Sequence, residues 1–255
     1  MKKKIELHTE FPNDSSQSYW TNGKEVYYKI YLIRGAKPDN FYCFDDNDIF
    51  AVDEKRCYIL NNRLVGVDLD TFQIVNAMYA KDKNYAYGPV GKIKEADSLS
   101  FQALDDGKMK TGQRLYSYAK DKNHVFYYDY AGKVKVIKKA DPTTFVLLND
   151  GFYAKDAEHI FCGGLPLNKA NVNVWDKLST NDESYYSKDD KRIYYLNREM
   201  KNADYHTFEV IIPPTYKDGN HLAQYARDKS HYYFCELIIS EEDYQKGIGE
   251  CTELT

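Results

Sequence analysis

The sequence predicts an all-β protein, an array of about seven short β-hairpin or three-stranded repeat units, solenoid-like and curved. Three observations predict it. A phrase with an aromatic residue three places before an Asp-type anchor, and another five places after it, returns seven times in 255 residues. The residues following the anchor are turn formers, and those beyond them are β-branched or aromatic. The anchors Asn22, Asp53, Asp82, Asp121, Asp156, Asp189 and Asp228 also lie roughly 34 residues apart on average, a period typical of stacked supersecondary units.

Each element of the unit follows from its residues. The first aromatic is Tyr19, Phe50, Tyr79, Tyr118, Tyr153, Tyr186 or Tyr225. The next residue is small (Ala51, Ala80, Ala119, Ala154, Ser187, Ala226) except at Trp20. Aromatic-small-basic is the alternation of a half-buried strand, and the repeated small residue points to close packing between neighbouring units. Asp-Lys-Asn at 82–84 and 121–123 can bond its own backbone and tolerates left-handed dihedrals, so it predicts a tight turn. A second strand returns through Tyr27, Tyr58, Tyr87, Phe126, Phe161, Tyr194 and Tyr233. A turn such as Tyr130-Ala-Gly-Lys133 or Asn61-Asn-Arg63 then leads into a third short strand.

Fifteen places after the anchor an Asx or Lys recurs (Lys37, Asp68, Asp97, Asn171, Asp204, Asp243), delayed by five residues in the fourth unit, at Asp141. Four places further stands an aromatic, Phe41, Phe72, Phe101, Phe145, Trp175 or Phe208, lost only at Gly247. Ala140-Asp-Pro-Thr-Thr-Phe145 therefore reads as a single turn capped by Asp141, with Pro142 just inside it. The repeat period is shorter than the ~40–45 residues of four-stranded propeller blades, so a small closed seven-bladed β-propeller is the second choice. No Pro/Gly/Ser-rich linker interrupts the units, so residues 19–255 read as one β-repeat domain behind an N-terminal lead, 1–18.

Composition bounds the function. The net charge of −4 and pI near 5.9 argue against a nucleic-acid groove, which needs a basic face. The basic start Met1-Lys-Lys-Lys4 has no apolar h-region behind it, and no stretch is long enough to span a membrane. Five cysteines (43, 57, 162, 235, 251) lack any Cys-x-x-Cys spacing and suit free buried thiols in a reducing cytoplasm.

Tyr-Ala-Lys, then Asp-Lys-Asn-x-x-Tyr/Phe, then Ala-Asp-x-x-Thr/Ser-Phe resembles the bacterial DKNYY repeat family. The resemblance covers nearly the whole chain and is strongest over 79–101, 118–161 and 186–233. The first two units depart from it, with Asn22-Gly-Lys and Asp53-Glu-Lys in place of Asp-Lys-Asn. The resemblance implies a repetitive all-β structure and a bacterial origin. It supplies no catalytic residue to carry over, because the motif is structural.

Polar residues that look chemical in isolation lose that meaning in the repeat. His124, His159 and His231 each lie three places after an anchor, where other units carry Glu25, Arg56, Tyr85 and Arg192. A turn role accounts for them without a metal, which needs convergent ligands. Calcium loops need alternating oxygen ligands and a permissive Gly, whereas Asp-Lys-Asn puts a cation in the middle. No phosphate loop, zinc signature, nucleophile elbow or dinucleotide fingerprint is present. No catalytic residue, metal ligand or cofactor is therefore assigned.

The candidate partner-binding residues lie where the rhythm breaks. Asp45, Asp46 and Asp48, with Asp53 and Glu54 behind them, form the densest acidic run, suited to steering a basic partner. Two long connections, 102–117 and 209–224, read as inserted loops on a binding face. They contribute Asp105, Asp106, Arg114, Tyr216, Lys217, Asp218 and His221. The expectation is a cytoplasmic, non-catalytic immunity protein that neutralises a cognate interbacterial toxin, basic and of a class such as nucleases. The alternative is a glycan or small-ligand binder, or an enzyme, using a concave aromatic face; a general interaction scaffold is the third reading.

Overall fold

A computed structural model describes residues 1–12, 18–45, 47–111, 114–129, 132–148, 152–178, 185–212 and 224–247, without the side chains of 109–111, 114 and 115. The chain divides into two compact halves, Met1–Thr143 and Thr144–Thr255, and the boundary falls inside the capped turn of the fourth repeat. The first half holds four sheets and the second three, one per anchor. The array of repeated β units is thus present.

Each sheet has at least one strand more than the sequence predicts for a unit: among the described residues, five sheets have four strands and two have five. In the third repeat, Ala80–Lys81, Ala86–Gly88 and Gly91–Ile93 are the expected hairpin and third strand, and Gln73–Ile74 pairs antiparallel with Ala80–Lys81. That fourth strand follows Phe72, the late aromatic of the preceding repeat. Val146–Leu147 on Tyr153–Lys155, Asp176–Lys177 on Tyr186–Lys188 and Glu209–Ile211 on Tyr225–Arg227 repeat the arrangement. Each sheet is completed by chain from the repeat before it, so neighbours are joined by backbone hydrogen bonds as well as by side chains. In the first sheet that place is taken by Glu6–Leu7, from the N-terminal lead, which pairs parallel with Tyr19–Thr21; Lys2–Lys4 adds an outer strand to Tyr42–Phe44 in the sheet of the second repeat.

The small residue after the first aromatic stands opposite the second aromatic in every register: Ala51 faces Tyr58, Ala80 faces Tyr87 and Ala154 faces Phe161. These alanines are fully buried. The late aromatic then bridges two repeats. Phe41 lies 5.8 Å from Tyr19 of its own repeat and 5.2 Å from Tyr58 of the next. Phe101 does the same between Tyr79 (5.5 Å) and Phe126 (5.7 Å), and Phe208 between Tyr186 (5.5 Å) and Tyr233 (5.7 Å). Tilted and edge-to-face rings at these distances add about 0.5–1.5 kcal/mol per pair to the burial term. A larger side chain at the alanine would displace this ladder. Trp20, the one large residue there, belongs to the first repeat; with no preceding aromatic to receive, it stacks on Tyr27 at 4.6 Å.

Two local expectations differ in detail. Left-handed backbone is concentrated at the second turn of the unit, at Lys29, Leu60, Leu196 and Cys235 (φ 51 to 55), and not in Asp-Lys-Asn, where the anchor side chain closes the turn instead. The N–H of each of these residues reaches back across the hairpin, as from Leu60 to the Ile49 carbonyl at 2.8 Å. The connection 102–117 is also not a plain loop. Met109–Thr111 pairs antiparallel with the start of Arg114–Lys120, so the insertion is an extra hairpin that lengthens the sheet. Strand formation there satisfies backbone groups that a loop would leave to water.

The last repeat replaces its lost aromatic by a different element. Helix Glu241–Lys246 is capped by Ser240, whose hydroxyl accepts the N–H of Asp243 at 3.0 Å. It delivers Tyr244 to within 6.0 Å of Tyr225 and stacks it on Tyr232 at 4.8 Å. Cys43, Cys57 and Cys162 are free and buried. Cys235 departs from the expectation of free thiols, being disulfide-bonded, and Cys251 lies outside the described residues. Among the described residues, no helix is long and apolar enough to cross a membrane.

Candidate functional site

The recurrent chemical group of this protein is the anchor carboxylate, and its geometry is that of a clip. Asp82 Oδ1 accepts the N–H groups of Asn84 and Tyr85, each at 2.7 Å, closing its own turn. Asp82 Oδ2 accepts the Tyr87 hydroxyl at 2.7 Å and, from the preceding repeat, the N–H of Asp68 at 2.8 Å. Asp228 repeats all four contacts with Ser230, His231, Tyr233 and Asp204. Asp189 does so with Lys191, Arg192, Tyr194 and Asn171. In the fourth repeat Phe126 stands in place of the Tyr, as Phe161 does in the fifth, and Asp121 keeps the bridge to the Asp97 N–H at 2.7 Å.

The lysine after the anchor reaches the same earlier turn. Lys83 Nζ lies 2.6 Å from Asp68, Lys122 Nζ 2.9 Å from Asp97 and Lys229 Nζ 2.8 Å from Asp204. The backbone N–H groups of these lysines donate to Thr71, Ser100 and Thr207 of that turn. Both halves of the Asp-Lys pair therefore bind the preceding repeat, and the cation that disfavours calcium has a partner of its own.

Electrostatics agree with this geometry. Burial opposes ionisation of Asp82, yet the N–H of Asp68, the Tyr87 hydroxyl and the N–H groups of Tyr85 and Asn84 hold its carboxyl below the usual range. The Ser100 hydroxyl and the Lys122 ammonium bring Asp97 down to about 2. Asp204 is likewise held at about 2, by Lys229 and then Thr207. Burial, with the hydrogen bond to Asp53, pushes the Tyr58 phenol up to about 12.

A second ladder went unread in the sequence. Asn47 Oδ1 accepts the N–H groups of Ile49 and Phe50, and its Nδ2 donates to the Asn76 carbonyl at 2.9 Å. Asn76 repeats the pattern with Met78 and Tyr79 and donates to the Asp105 carbonyl at 3.0 Å. Asp105 is the third rung. Its Oδ1 takes the Gly107 N–H at 2.7 Å and its Oδ2 the Tyr118 N–H at 2.5 Å, so one carboxylate clasps both sides of the inserted hairpin's neck. An Asn six places before two successive anchors was the available signal.

The predicted partner-binding residues separate into distinct places. Asp45 and Asp48 are exposed; Asp45 lies 3.3 Å from the Met1 amino group and 3.8 Å from Lys3. Strand Asn47–Val52 carries the chain away from them, so Asp53 and Glu54 stand roughly 16 Å further along, at about 3.3 Å per residue. Asp53 is an anchor, with Tyr58 donating to it at 2.6 Å, and Glu54 is exposed in the same turn. Asp105 is half-buried in the clasp, and Asp106 is exposed. Arg114 lies on a strand, but its side chain is outside the described residues, as are Asp46, Tyr216, Lys217, Asp218 and His221. The histidines contribute chiefly backbone N–H groups to their anchors. The His124, His159 and His231 rings lie 3.8, 3.3 and 3.6 Å from Asp121, Asp156 and Asp228. Among the described residues, no group of three or more His, Cys, Asp or Glu is arranged to hold a metal.

Fold and clips together define a β-repeat protein whose signature residues join one unit to the next. The DKNYY family model matches residues 4–130 and again 128–246. The chain belongs to the DKNYY family. No curated protein and no solved structure matches it.

Proposed function

We propose that this chain is a non-catalytic protein-binding scaffold, and specifically an immunity protein that binds and neutralises a basic protein toxin delivered between competing bacteria. The observation that carries the reading is the use of the anchor carboxylates. Their acceptor positions are filled from within the scaffold, as at Asp82, Asp189 and Asp228. Residues free to differ between repeats instead face outward, among them the acidic pair Asp45 and Asp48. The glycan alternative is less well supported, because the aromatic residues it needs on a face, such as Tyr79, Tyr118 and Tyr153, are fully buried.

The proposal places the protein in the cytoplasm, which suits the free thiols of Cys43, Cys57 and Cys162. The disulfide at Cys235 favours an oxidising compartment instead. Because Cys235 is buried, alkylation of denatured protein from acid-quenched cells decides: labelling at Cys235 without a reductant supports the cytoplasm, and labelling only after reduction removes it from the proposal.

The test of function is affinity capture of the tagged protein from its native host, followed by co-expression. A stoichiometric partner with a toxic domain, whose toxicity this chain suppresses, supports the reading. Recovery of no stoichiometric partner sinks it.

A further inference from the structure

Repetition supplies an internal control for the surface. The outer strand of each sheet places one residue directly opposite the second aromatic of the hairpin. That residue is charged in three repeats, Arg63 opposite Tyr58, Lys92 opposite Tyr87 and Glu199 opposite Tyr194, and apolar in three others, Leu32 opposite Tyr27, Val136 opposite Phe126 and Pro166 opposite Phe161. The fold therefore accepts charge at this position. In the last repeat it is Ile238, opposite Tyr233, and it is 48 % exposed; its neighbour Leu237 is 41 % exposed. Two adjacent aliphatic side chains lie in water at places the architecture does not require to be apolar. Strand Leu237–Ile239 is also the last in its sheet, so among the described residues one edge of its backbone carries no ladder partner.

The surroundings of this edge are acidic. Glu236, Glu241 and Glu242 flank the strand within seven residues. Glu236 is paired with Arg198 at 2.7 Å and Glu242 with Lys246 at 2.5 Å. Among the described residues Glu241 has no cationic partner; it receives the Tyr232 hydroxyl, at 3.2 Å. It lines a groove of about 560 Å³ shared with Tyr232, Glu209 and His231. The other cations of that groove are occupied, Arg227 by Glu209 and Lys229 by Asp204.

We propose that the free edge Leu237–Ile239 and the adjoining groove dock an extended basic segment of the protein partner. The segment adds a strand to the sheet, covers Leu237 and Ile238 with apolar side chains, and places a Lys or Arg against Glu241. Main-chain pairing supplies affinity in this mode, and the charge and apolar contacts supply selection. The inference rests on the protein-binding reading above and assigns its contact surface to the last repeat rather than to the acidic run of the second.

A photo-cross-linking amino acid placed at position 238, and in a separate variant at position 48, tests this in the native host. Cross-linking from 238 to one basic protein (pI above about 9) supports the inference, provided two variants weaken it. Glu241→Lys is expected to lower affinity about tenfold, and Leu237→Asp to abolish capture. Glu241→Lys lies on the surface and keeps the test valid if Leu237→Asp fails to fold. A partner captured from 48 and not from 238 overturns this surface and leaves the proposed function standing. A second copy of this chain captured from 238 also overturns it. Capture from neither position overturns this surface, and the proposed function falls with it only if affinity capture also returns no stoichiometric partner.

Discussion

Tyr87 donates its hydroxyl to Asp82 at 2.7 Å, and the same carboxylate oxygen holds the Asp68 N–H of the preceding repeat at 2.8 Å. The family motif is therefore a joint: one residue closes its own turn and fastens the turn before it. The tyrosine is auxiliary to that joint, since Asp121 bridges to Asp97 beside Phe126.

Asp82→Ala removes four accepted hydrogen bonds and leaves three part-buried N–H groups and the buried Tyr87 hydroxyl without this acceptor. We expect a loss of about 3 kcal/mol, at the upper end for unsatisfied buried donors. Tyr87→Phe, which copies the natural fourth repeat, is expected to cost about 1 kcal/mol. Urea unfolding with unchanged slope checks the ranking; equal effects of the two substitutions would contradict it.

Acid sensitivity follows from the same clips. Asp97 and Asp204 are held at about 2, below the ordinary ~3.9 of an unfolded aspartate. Their contribution is complete above the unfolded value and is lost as pH falls through the window from about 4 to 2. Replacing Lys122 or Lys229 by Met lets the partner carboxyl rise, which narrows that window. Carboxyl titration by NMR reads each group directly, and an unmoved Asp204 in Lys229→Met would show that the pair is not responsible.

The buried Ala119 lies opposite Phe126, within reach of the aromatic ladder through Phe101. Ala119→Leu forces those rings apart, and overpacking of this kind costs roughly 1–3 kcal/mol. Thermal unfolding of this variant against Leu99→Ala, at a position 80 % exposed, separates the packing effect from a generic one.

Asp105→Asn keeps the Gly107 contact of the clasp and turns an amide toward the Tyr118 N–H. Hydrogen exchange at the Tyr118 amide is expected to accelerate about tenfold, matching ~1.4 kcal/mol of local opening. Exchange at the amides of Phe126 and Val125 should change less. Uniform acceleration across the sheet would show that the carboxylate supports the whole repeat rather than the hairpin neck.

Much of this was legible in residue types and spacing, because local chemistry dictates it. Asp or Asn before a short polar run closes a turn through its own side chain, so the first turn was readable in each repeat. Alternation of aromatic, small and basic residues set the strands. The second ladder through Asn47, Asn76 and Asp105 was readable in principle, but the hairpin inserted before Tyr118 displaced its third rung to a different spacing. Asp105 was taken for a surface residue because a carboxylate in an insertion looks exposed until the strands on either side converge on it.

Residue types and their spacing define the unit, its turns, its strands and its buried faces, all of which depend on contacts within a few residues. Packing of one repeat on the next sets what each anchor does with its second oxygen, which partner each lysine takes, and where the fourth strand of every sheet comes from. The carboxylate and lysine partners lie 14 to 25 residues apart, as for Asp68 with Asp82 and Asp97 with Lys122. Such pairs meet only when one repeat packs on the next, because closing the intervening chain costs entropy that the buried aromatic ladder offsets. The acidic run of the second repeat shows the same limit: neighbours in sequence, Asp48 and Asp53, are carried apart by the strand between them.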